Sequence, residues 1–188
     1  MNSIILVEPE IPENTGFIAR LADNYSAKLR IVNPDFQLNE ARKTATNAQD
    51  KLREAKIYET VKEATKGLDH IIGTKPGRGM KAKEFEPREN TSVMIGRESS
   101  GLSNKELDMC DAVIHIDLPG YSSLNQSHAT AIILHELHQS NSKGLNDGQT
   151  KTLEKFIGGG KLKELIMRGS PRKDEFDQLI GEIKTLET

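Results

Sequence analysis

Three separated segments of the chain carry polar residues that local structure does not explain. They are Glu8–Arg20 (EPEIPENTGFIAR), Met94–Leu107 (MIGRESSGLSNKEL) and Ile116–Asn125 (IDLPGYSSLN). Arg20 falls off the apolar stripe of its predicted helix, and Arg97 with Glu98 form an unpaired charged step directly after a buried strand. Arginine and carboxylate groups of this kind bind polar substrates and stabilise developing charge. Singly, each segment also reads as a loop with a helix cap; together, in this order, they indicate a functional site.

Several familiar catalytic motifs are missing. Gly73–Lys81 (GTKPGRGMK) has neither P-loop nor GxGxxG spacing, and Gly120–Ser123 breaks the GxSxG pattern. His135 and His138 lie three apart on one predicted helix, but they lack the HExxH spacing and a third ligand, which favours packing or surface roles. Cys110 is the only cysteine, so a disulfide framework or thiolate cluster is excluded. We therefore expect no metal.

Short apolar runs alternate with amphipathic segments along residues 3–140. The predicted strands are Ser3–Val7, Leu29–Val32, a short one near Ile57, Asp69–Thr74, Thr91–Ile95 and Ala112–Ile116. Helices are predicted from Asn14 (as N-cap), over Glu40–Gln49, after Thr60, after Ser103, and over Asn125–Gln139. This alternation predicts an α/β fold with a parallel sheet flanked by helices. Because such sheets bind ligands beyond the carboxyl ends of their strands, the loops after Val7, Gly73, Ile95 and Ile116 should carry the site.

The composition changes near residue 140. Residues 141–150 are polar and glycine-containing, which predicts a linker between a domain at 1–140 and a helical C-terminal extension at 151–188. About 40 residues bury little core alone, so we expect the extension to dock on the main domain, on a second subunit or on RNA. The chain has no signal-peptide pattern and no apolar run near the roughly 20 residues that span a bilayer, which predicts a cytoplasmic protein without a membrane partner.

The net charge of −2 does not by itself indicate a nucleic-acid binder. RNA contact needs only a local basic surface, however, and the chain has two basic clusters. Lys75–Lys83 holds four basic residues and no acid, and Lys161–Lys173 holds five basic residues with Glu164 as the one acid. Either cluster is equally explained as a solvated loop.

The three polar segments resemble the motifs of the SPOUT superfamily of RNA methyltransferases, most closely its TrmJ-type tRNA 2′-O-methyltransferases. The first motif is Asn14-Thr15-Gly16 followed by Arg20, the second is Gly96-Arg97-Glu98 through Gly101-Leu102, and the third is Tyr121–Asn125 before a long apolar helix. The resemblance covers roughly residues 3–140. It implies a C-terminal deep trefoil knot, S-adenosylmethionine (SAM) as methyl donor, a tRNA substrate and a homodimer with sites completed across the interface.

The resemblance also carries over site residues. The implied cofactor contacts are Thr74, Lys75, Pro76, Gly96, Ile116, Ser122, Ser123 and Leu124. The implied catalytic positions are Asn14, Arg20, Glu98, Ser123 and Asn125. Because a guanidinium is hard to deprotonate, we expect Arg20 to stabilise the developing alkoxide and grip the adjacent phosphate rather than act as a base. Glycine at position 96 is expected to let the backbone approach the cofactor closely.

The subgroup bears on the methylated nucleotide. GRESSGL and YSSLN favour the TrmJ type, closest to its archaeal members, which modifies the first nucleotide of the anticodon loop, position 32. EPEIP with NTG also resembles the TrmL type, which modifies the wobble ribose. Two further alternatives remain: a non-catalytic RNA-binding SPOUT protein, and an unrelated flavodoxin-like or nucleotide-binding α/β protein.

Overall fold

The computed structural model describes residues 3–88, 90–120, 123–141, 151–152, 155, 178, 180–181 and 185. The chain divides into two compact units, residues 1–137 and 138–188. The first unit contains the sheet and every predicted site residue. In the second unit, the described positions from 151 onward are helical. The predicted linker and most of the predicted extension lie outside the described residues, so the proposed domain boundaries stay a prediction.

In the described part of the chain, seven parallel strands form one sheet. They are β1 (Ser3–Val7), β2 (Lys28–Val32), β3 (Lys56–Tyr58), β4 (His70–Thr74), β5 (Met80–Lys81), β6 (Thr91–Ile95) and β7 (Ala112–His115). Their order is β3-β2-β1-β6-β4-β7-β5, and each adjacent pair is parallel. The predicted α/β class is confirmed, as are the six predicted strands to within one residue at each end. Strand β5 was not predicted, because two residues are too few to show a periodic pattern.

The central pair of strands is β1 and β6, which align Leu6 with Ile95. From β1 the sheet continues to β2 and β3 on one side, whereas β4 and β7 lie beyond β6 on the other. A reversal of strand order of this kind opens a crevice beyond the carboxyl ends of the strands. The loops that follow β1, β6, β4 and β7 emerge at this edge, as predicted.

Aliphatic side chains fill both faces of the sheet. In β1, Ile4 and Leu6 belong to one buried cluster, while Ile5 and Val7 belong to a second cluster. Successive strand residues point to opposite faces, so a strand covered on both sides is apolar at most of its positions. This explains why β1 shows as an unbroken apolar run in the sequence.

The helices are α1 (Pro12–Asn24), α2 (Arg42–Ala45), α3 (Gln49–Glu54), α4 (Val61–Thr65), α5 (Asn104–Leu107) and α6 (Gln126–Asn141). The predicted caps at Thr60 and Ser103 are confirmed, since each side chain accepts the N–H bond of the residue three positions later. No helix in the described ranges is both long and apolar enough to cross a membrane.

The single helix predicted over Glu40–Gln49 is wrong. Two 3-10 turns, Leu38–Ala41 and Thr46–Ala48, precede and follow α2, and α3 starts only at Gln49. Thr46 has a φ of 48°, a conformation that a β-branched residue rarely adopts and that breaks the helical path. Propensity alone gave no sign of this break.

Candidate active site

A continuous hydrogen-bond network joins all three polar segments. Asn14 donates from Nδ2 to Oε1 of Glu98 over 3.0 Å, and its Oδ1 accepts from Nδ2 of Asn125 over 2.9 Å. These residues lie 84 and 111 positions apart in the chain. Both bonds use the amide of Asn14, which is only 3% exposed. The structure therefore brings three of the predicted catalytic positions together at the carboxyl edge of the sheet.

Glu98 also serves the start of α1. Its carboxylate accepts the backbone N–H of Glu10 over 2.8 Å and that of Ile11 over 3.4 Å. The helix begins at Pro12 without a side-chain cap of its own. Asn14 is therefore not the N-cap that we predicted: proline, which suits the first helical turn, sets the start, and Asn14 lies inside the turn with its side chain turned to Glu98.

Asn125 caps α6. Its Oδ1 accepts the backbone N–H of Ser127 over 2.9 Å and the hydroxyl of Ser127 over 2.7 Å. This leaves its Nδ2 to donate to Asn14. One side chain thus satisfies the end of a helix and fixes the orientation of the Asn14 amide. Ser123, another of the predicted catalytic residues, is exposed.

Arg97 is paired, contrary to the prediction of an unpaired charge. Its Nε donates to Glu8 over 2.7 Å, and its two terminal nitrogens donate to Glu106 over 3.1 and 2.9 Å. The hydrogen bonds to Glu106 and Glu8 raise the pKa of Arg97 above its ordinary value. Burial alone would raise the pKa of Glu106, but bonds from Arg97 and from Ser103 outweigh it and hold that pKa below 4.5. Glu8 and Arg97 are thus functional candidates by geometry.

A cleft opens beside β4 and β7, and the empty space in and in front of it is about 410 Å³. It is lined by Thr74, Lys75, Pro76, Ile114, His115, Ile116, Leu124, Ala129 and Ile133. Five of the predicted cofactor contacts belong to this lining: Thr74, Lys75, Pro76, Ile116 and Leu124. A mostly apolar lining with a few polar groups is typical of small-molecule sites. Ser123 and Gly96 are not among the lining residues, and Ser122 lies outside the described residues.

The residues at the carboxyl end of β4 line this cleft and also form hydrogen bonds to the second polar segment. Thr74 donates from Oγ1 to the carbonyl of Met94 over 3.1 Å. Lys75 donates from Nζ to the carbonyls of Leu102 over 2.7 Å and Ser100 over 3.3 Å. Lys75 therefore holds the loop after β6 against the cleft, in addition to lining it.

Gly96 is required by a close backbone approach, but to the chain itself. A Cβ at this position would lie 2.2 Å from the carbonyl carbon of Gly101 and from the nitrogen of Leu102. The carbonyl of Gly96 accepts a hydrogen bond of 2.8 Å from Nε2 of Gln126. This buried glutamine was not among the predicted site residues. The sequence carried no signal for this contact, because the partner is a backbone carbonyl and the neighbouring Ser127 and His128 are also polar.

Arg20 stands apart from the network. It is exposed on α1, and the described residues offer it no hydrogen bond or ion pair. It lies six residues after Asn14, which is about 9 Å along the helix axis. Phe17, one turn before it, is also exposed, at 41%. The chain alone therefore does not bring Arg20 into the Asn14–Glu98–Asn125 network.

The basic cluster at Lys75–Lys83 is partly engaged by the protein. Besides Lys75, Lys81 pairs with Asp117 over 2.8 Å, and Arg78 donates to the side-chain oxygen of Asn104 over 2.6 Å. Because Asn104 is neutral, this contact does not compensate the charge of exposed Arg78. The second basic cluster lies outside the described residues. Within the described ranges, no three His, Cys, Asp or Glu side chains form a group that could hold a metal.

Comparison with known proteins gives one consistent result. The model of the SpoU rRNA Methylase family matches residues 1–135. A tRNA (cytidine-2′-O-)-methyltransferase TrmJ from Methanocaldococcus jannaschii is 37% identical, and the match covers 73% of this chain and 67% of that relative. The chain spans about two thirds of the length of the archaeal relatives it matches.

Solved structures share the fold. The crystal structure of TrmJ from Z. mobilis ZM4 superposes with a TM-score of 0.67 at 24% identity and covers 100% of both chains. The SpoU methyltransferase AviRb from Streptomyces viridochromogenes, in complex with AdoMet, gives a TM-score of 0.65 at 26% identity over 74% of this chain and 59% of that one. The predicted resemblance is thereby confirmed: this chain belongs to the SpoU methylase family.

Proposed function

We propose that the protein is a SAM-dependent tRNA ribose 2′-O-methyltransferase that acts at position 32 of the anticodon loop. The observation that carries the proposal is the Glu98–Asn14–Asn125 network, which joins the three motif segments at the sheet edge where the cleft opens. The relatives named as TrmJ tRNA 2′-O-methyltransferases support the substrate and the reaction.

The cleft residues fit the cofactor. The aliphatic wall of Ile114, Ile116 and Leu124 suits the flat adenine, and Thr74 with Lys75 offers polar groups nearby. Bound there, SAM supplies an activated methyl group, so the protein's contribution is chiefly orientation, which in favourable cases is worth about 7–11 kcal/mol. The AdoMet complex of AviRb supports this assignment. Ser122 and Ser123 are proposed to complete the site.

The polar network positions the ribose. Asn14 and Asn125 hold each other's amides, and Glu98 fixes the Asn14 amide from the other side. We assign these residues to orienting the substrate hydroxyl. Arg20 is assigned to stabilising the negative charge that would develop on the ribose 2′-oxygen as it takes up the methyl group and its proton passes to water. It is also assigned to holding the neighbouring phosphate, because the described part of the chain gives Arg20 no hydrogen-bond or ion-pair partner.

Arg20 is proposed to act in a site that a second copy of the chain completes. Phe17 on α1 and Ile132 on α6 are large apolar side chains exposed at 41% and 36%, and covering such side chains with a second copy would favour association. We propose a homodimer in which Arg20 reaches the network of the partner subunit. Sedimentation of the native chain tests this: a monomer at assay concentration contradicts it.

Two further features belong to the proposal. The C-terminal part of the chain is proposed to thread through a loop and form a deep trefoil knot, as the family resemblance implies; an experimental structure of the whole chain tests this. The basic C-terminal extension is proposed to enlarge the tRNA contact. Deleting the residues after Ser140 should weaken tRNA binding, and unchanged affinity would remove the extension from the interface.

SAM titration and label transfer test the function. Calorimetry should show SAM binding, and incubation with methyl-labelled SAM should transfer the label to tRNA. Binding without transfer would favour a non-catalytic RNA-binding protein. Binding of a flavin or nucleotide in place of SAM would refute the proposal. Methylation of the wobble ribose would instead select the TrmL-type activity.

A further inference from the structure

We propose that Arg97 is a positioning residue of the active site, which holds Glu98 and the start of α1 in the geometry that methyl transfer requires. The inference rests on the proposed function. Arg97 has three anchors: Glu8 after β1, Glu106 on α5, and the carbonyl of Gly101 over 3.3 Å. One guanidinium therefore joins the end of β1 to the loop after β6 and to α5.

The first anchor restrains the segment that leads into α1. Glu8 has a φ of 45°, in the left-handed region that residues other than glycine seldom adopt. Its N–H is bonded to the carbonyl of Val32 over 2.9 Å, and its carboxylate is bonded to Arg97. With both backbone and side chain held, the chain leaves β1 in one direction, toward Asn14.

The second restraint comes from the next residue. Glu98 binds the N–H groups of Glu10 and Ile11 and the amide of Asn14. Arg97 and Glu98 are consecutive, so together they fasten both the beginning and the end of the segment 8–14. Glu10 adds a bond in the reverse direction, since its carboxylate accepts the hydroxyl of Ser99 over 2.6 Å. Movement of the Arg97 backbone would displace Glu98 and, through it, Asn14.

The loop that carries Arg97 is closed upon itself. The N–H of Gly101 donates to the carbonyl of Arg97 over 2.9 Å, and the Arg97 side chain returns to the Gly101 carbonyl. Glu106 is fixed in turn, because its Oε2 accepts the N–H of Ser103 over 2.7 Å. Arg97 thus grips an acceptor that is already immobile, which gives its own position little freedom.

Arginine is needed at this position for its shape. The planar fork meets Glu106 with two N–H bonds and Glu8 with a third, whereas a lysine ammonium is a point charge that cannot match both carboxylates at these distances. Charge alone is therefore insufficient. Arg97 is also absent from the lining of the cofactor cleft, so its loss should affect turnover rather than SAM affinity.

The experiment compares Arg97→Met and Arg97→Lys with the wild type in tRNA methylation, SAM calorimetry and thermal unfolding. Arg97→Met should lower kcat roughly 10²-fold, the scale expected for a misplacement of about 1 Å. SAM affinity should change less than about threefold, because no cleft contact is lost. The kcat of Arg97→Lys should lie between those of the wild type and Arg97→Met. Arg53→Met, which removes an exposed arginine paired with Asp50 on α3, is the matched control and should keep full activity.

Two combined variants separate positioning from simple stability. If Arg97 acts through Glu98, Arg97→Met added to Glu98→Gln should lower kcat far less than it does alone. The triple variant Glu8→Gln/Arg97→Met/Glu106→Gln also neutralises both carboxylates, so they no longer repel each other. It should recover the thermal stability that Arg97→Met alone loses, but it should not recover kcat. If both thermal stability and kcat recovered, Arg97 would serve only to balance the charges of the two carboxylates, and the proposal would be overturned.

The remaining outcomes are also decisive. Wild-type kcat in Arg97→Met overturns the inference, and if that variant does not fold, wild-type kcat in Arg97→Lys does so instead. An additive loss in the Glu98→Gln background contradicts action through Glu98. A wild-type chain that transfers no methyl group to tRNA refutes the proposed function itself, a result distinct from any behaviour of the variants.

Discussion

Glu98→Gln is the substitution whose effect the structure predicts most fully. The carboxylate accepts three N–H groups: Glu10 and Asn14 at 2.8 and 3.0 Å, and Ile11 at 3.4 Å. Glutamine retains one oxygen, so in either orientation its NH₂ group faces a donor that the carboxylate had satisfied. Loss of one hydrogen bond to a charged group on a half-buried side chain corresponds to about 2 kcal/mol.

For a chain of this length, that change in the free energy of unfolding lowers Tm by about 4–8 °C. Activity should fall further, by roughly 10²-fold in kcat, because Asn14 loses the partner that orients its amide. Circular dichroism melting and label transfer from SAM to tRNA measure the two effects. SAM affinity, measured by calorimetry, should stay near the wild-type value, since Glu98 is not part of the cleft lining.

Glu13→Gln is the control. Glu13 is an exposed carboxylate in the same first turn of α1, where its interaction with the helix dipole is worth at most about 1 kcal/mol. The Glu13→Gln variant should have the wild-type kcat and a Tm close to that of the wild type. Equal behaviour of Glu98→Gln and Glu13→Gln in both assays would refute the argument that the network orients the active site.

Three other substitutions or conditions have defined outcomes. Arg20→Ala should lower kcat far more than it weakens SAM binding, and equal turnover would remove Arg20 from the mechanism. Gly96→Ala should destabilise the fold by about 3 kcal/mol in urea unfolding, because the new Cβ would meet backbone at 2.2 Å; wild-type stability would mean that the loop at Gly101 yields easily. Since the folded-state pKa of Glu106 is lowered from 4.5, its contribution to stability is present above that pH and is lost as pH falls through the folded-state pKa. Unfolding free energies below pH 4.5 should therefore decline more steeply for the wild type than for Glu106→Gln, and parallel curves would contradict the Arg97–Glu106 contact.

Sequence analysis predicted the parts of the molecule that depend on local pattern. Strands covered on both faces are mostly apolar, so Ser3–Val7 and Thr91–Ile95 were predicted to the residue. The box of Ser103 with Glu106 was likewise complete within four residues. The three motif segments could be singled out because their polar residues had no local use.

The contacts that assemble the site could not be predicted, because they join distant positions. Asn14 was expected to cap its own helix, but the acceptor that serves that helix is Glu98, 84 residues away from Asn14. Arg97 was expected to be unpaired since Glu8 lies 89 residues away from it. Gln126 escaped notice because its partner is a backbone carbonyl, which leaves no trace in the sequence.

Mapping of the methyl group in tRNA tests the central claim most directly. Transfer RNA incubated with the protein and deuterated SAM is digested with nucleases, and the fragments are weighed by mass spectrometry, with Arg20→Ala as the inactive reference. The account predicts one deuterated methyl on the ribose at position 32, absent from the reference. A methyl group on a base, or no transfer by a folded protein that binds both SAM and tRNA, would contradict it.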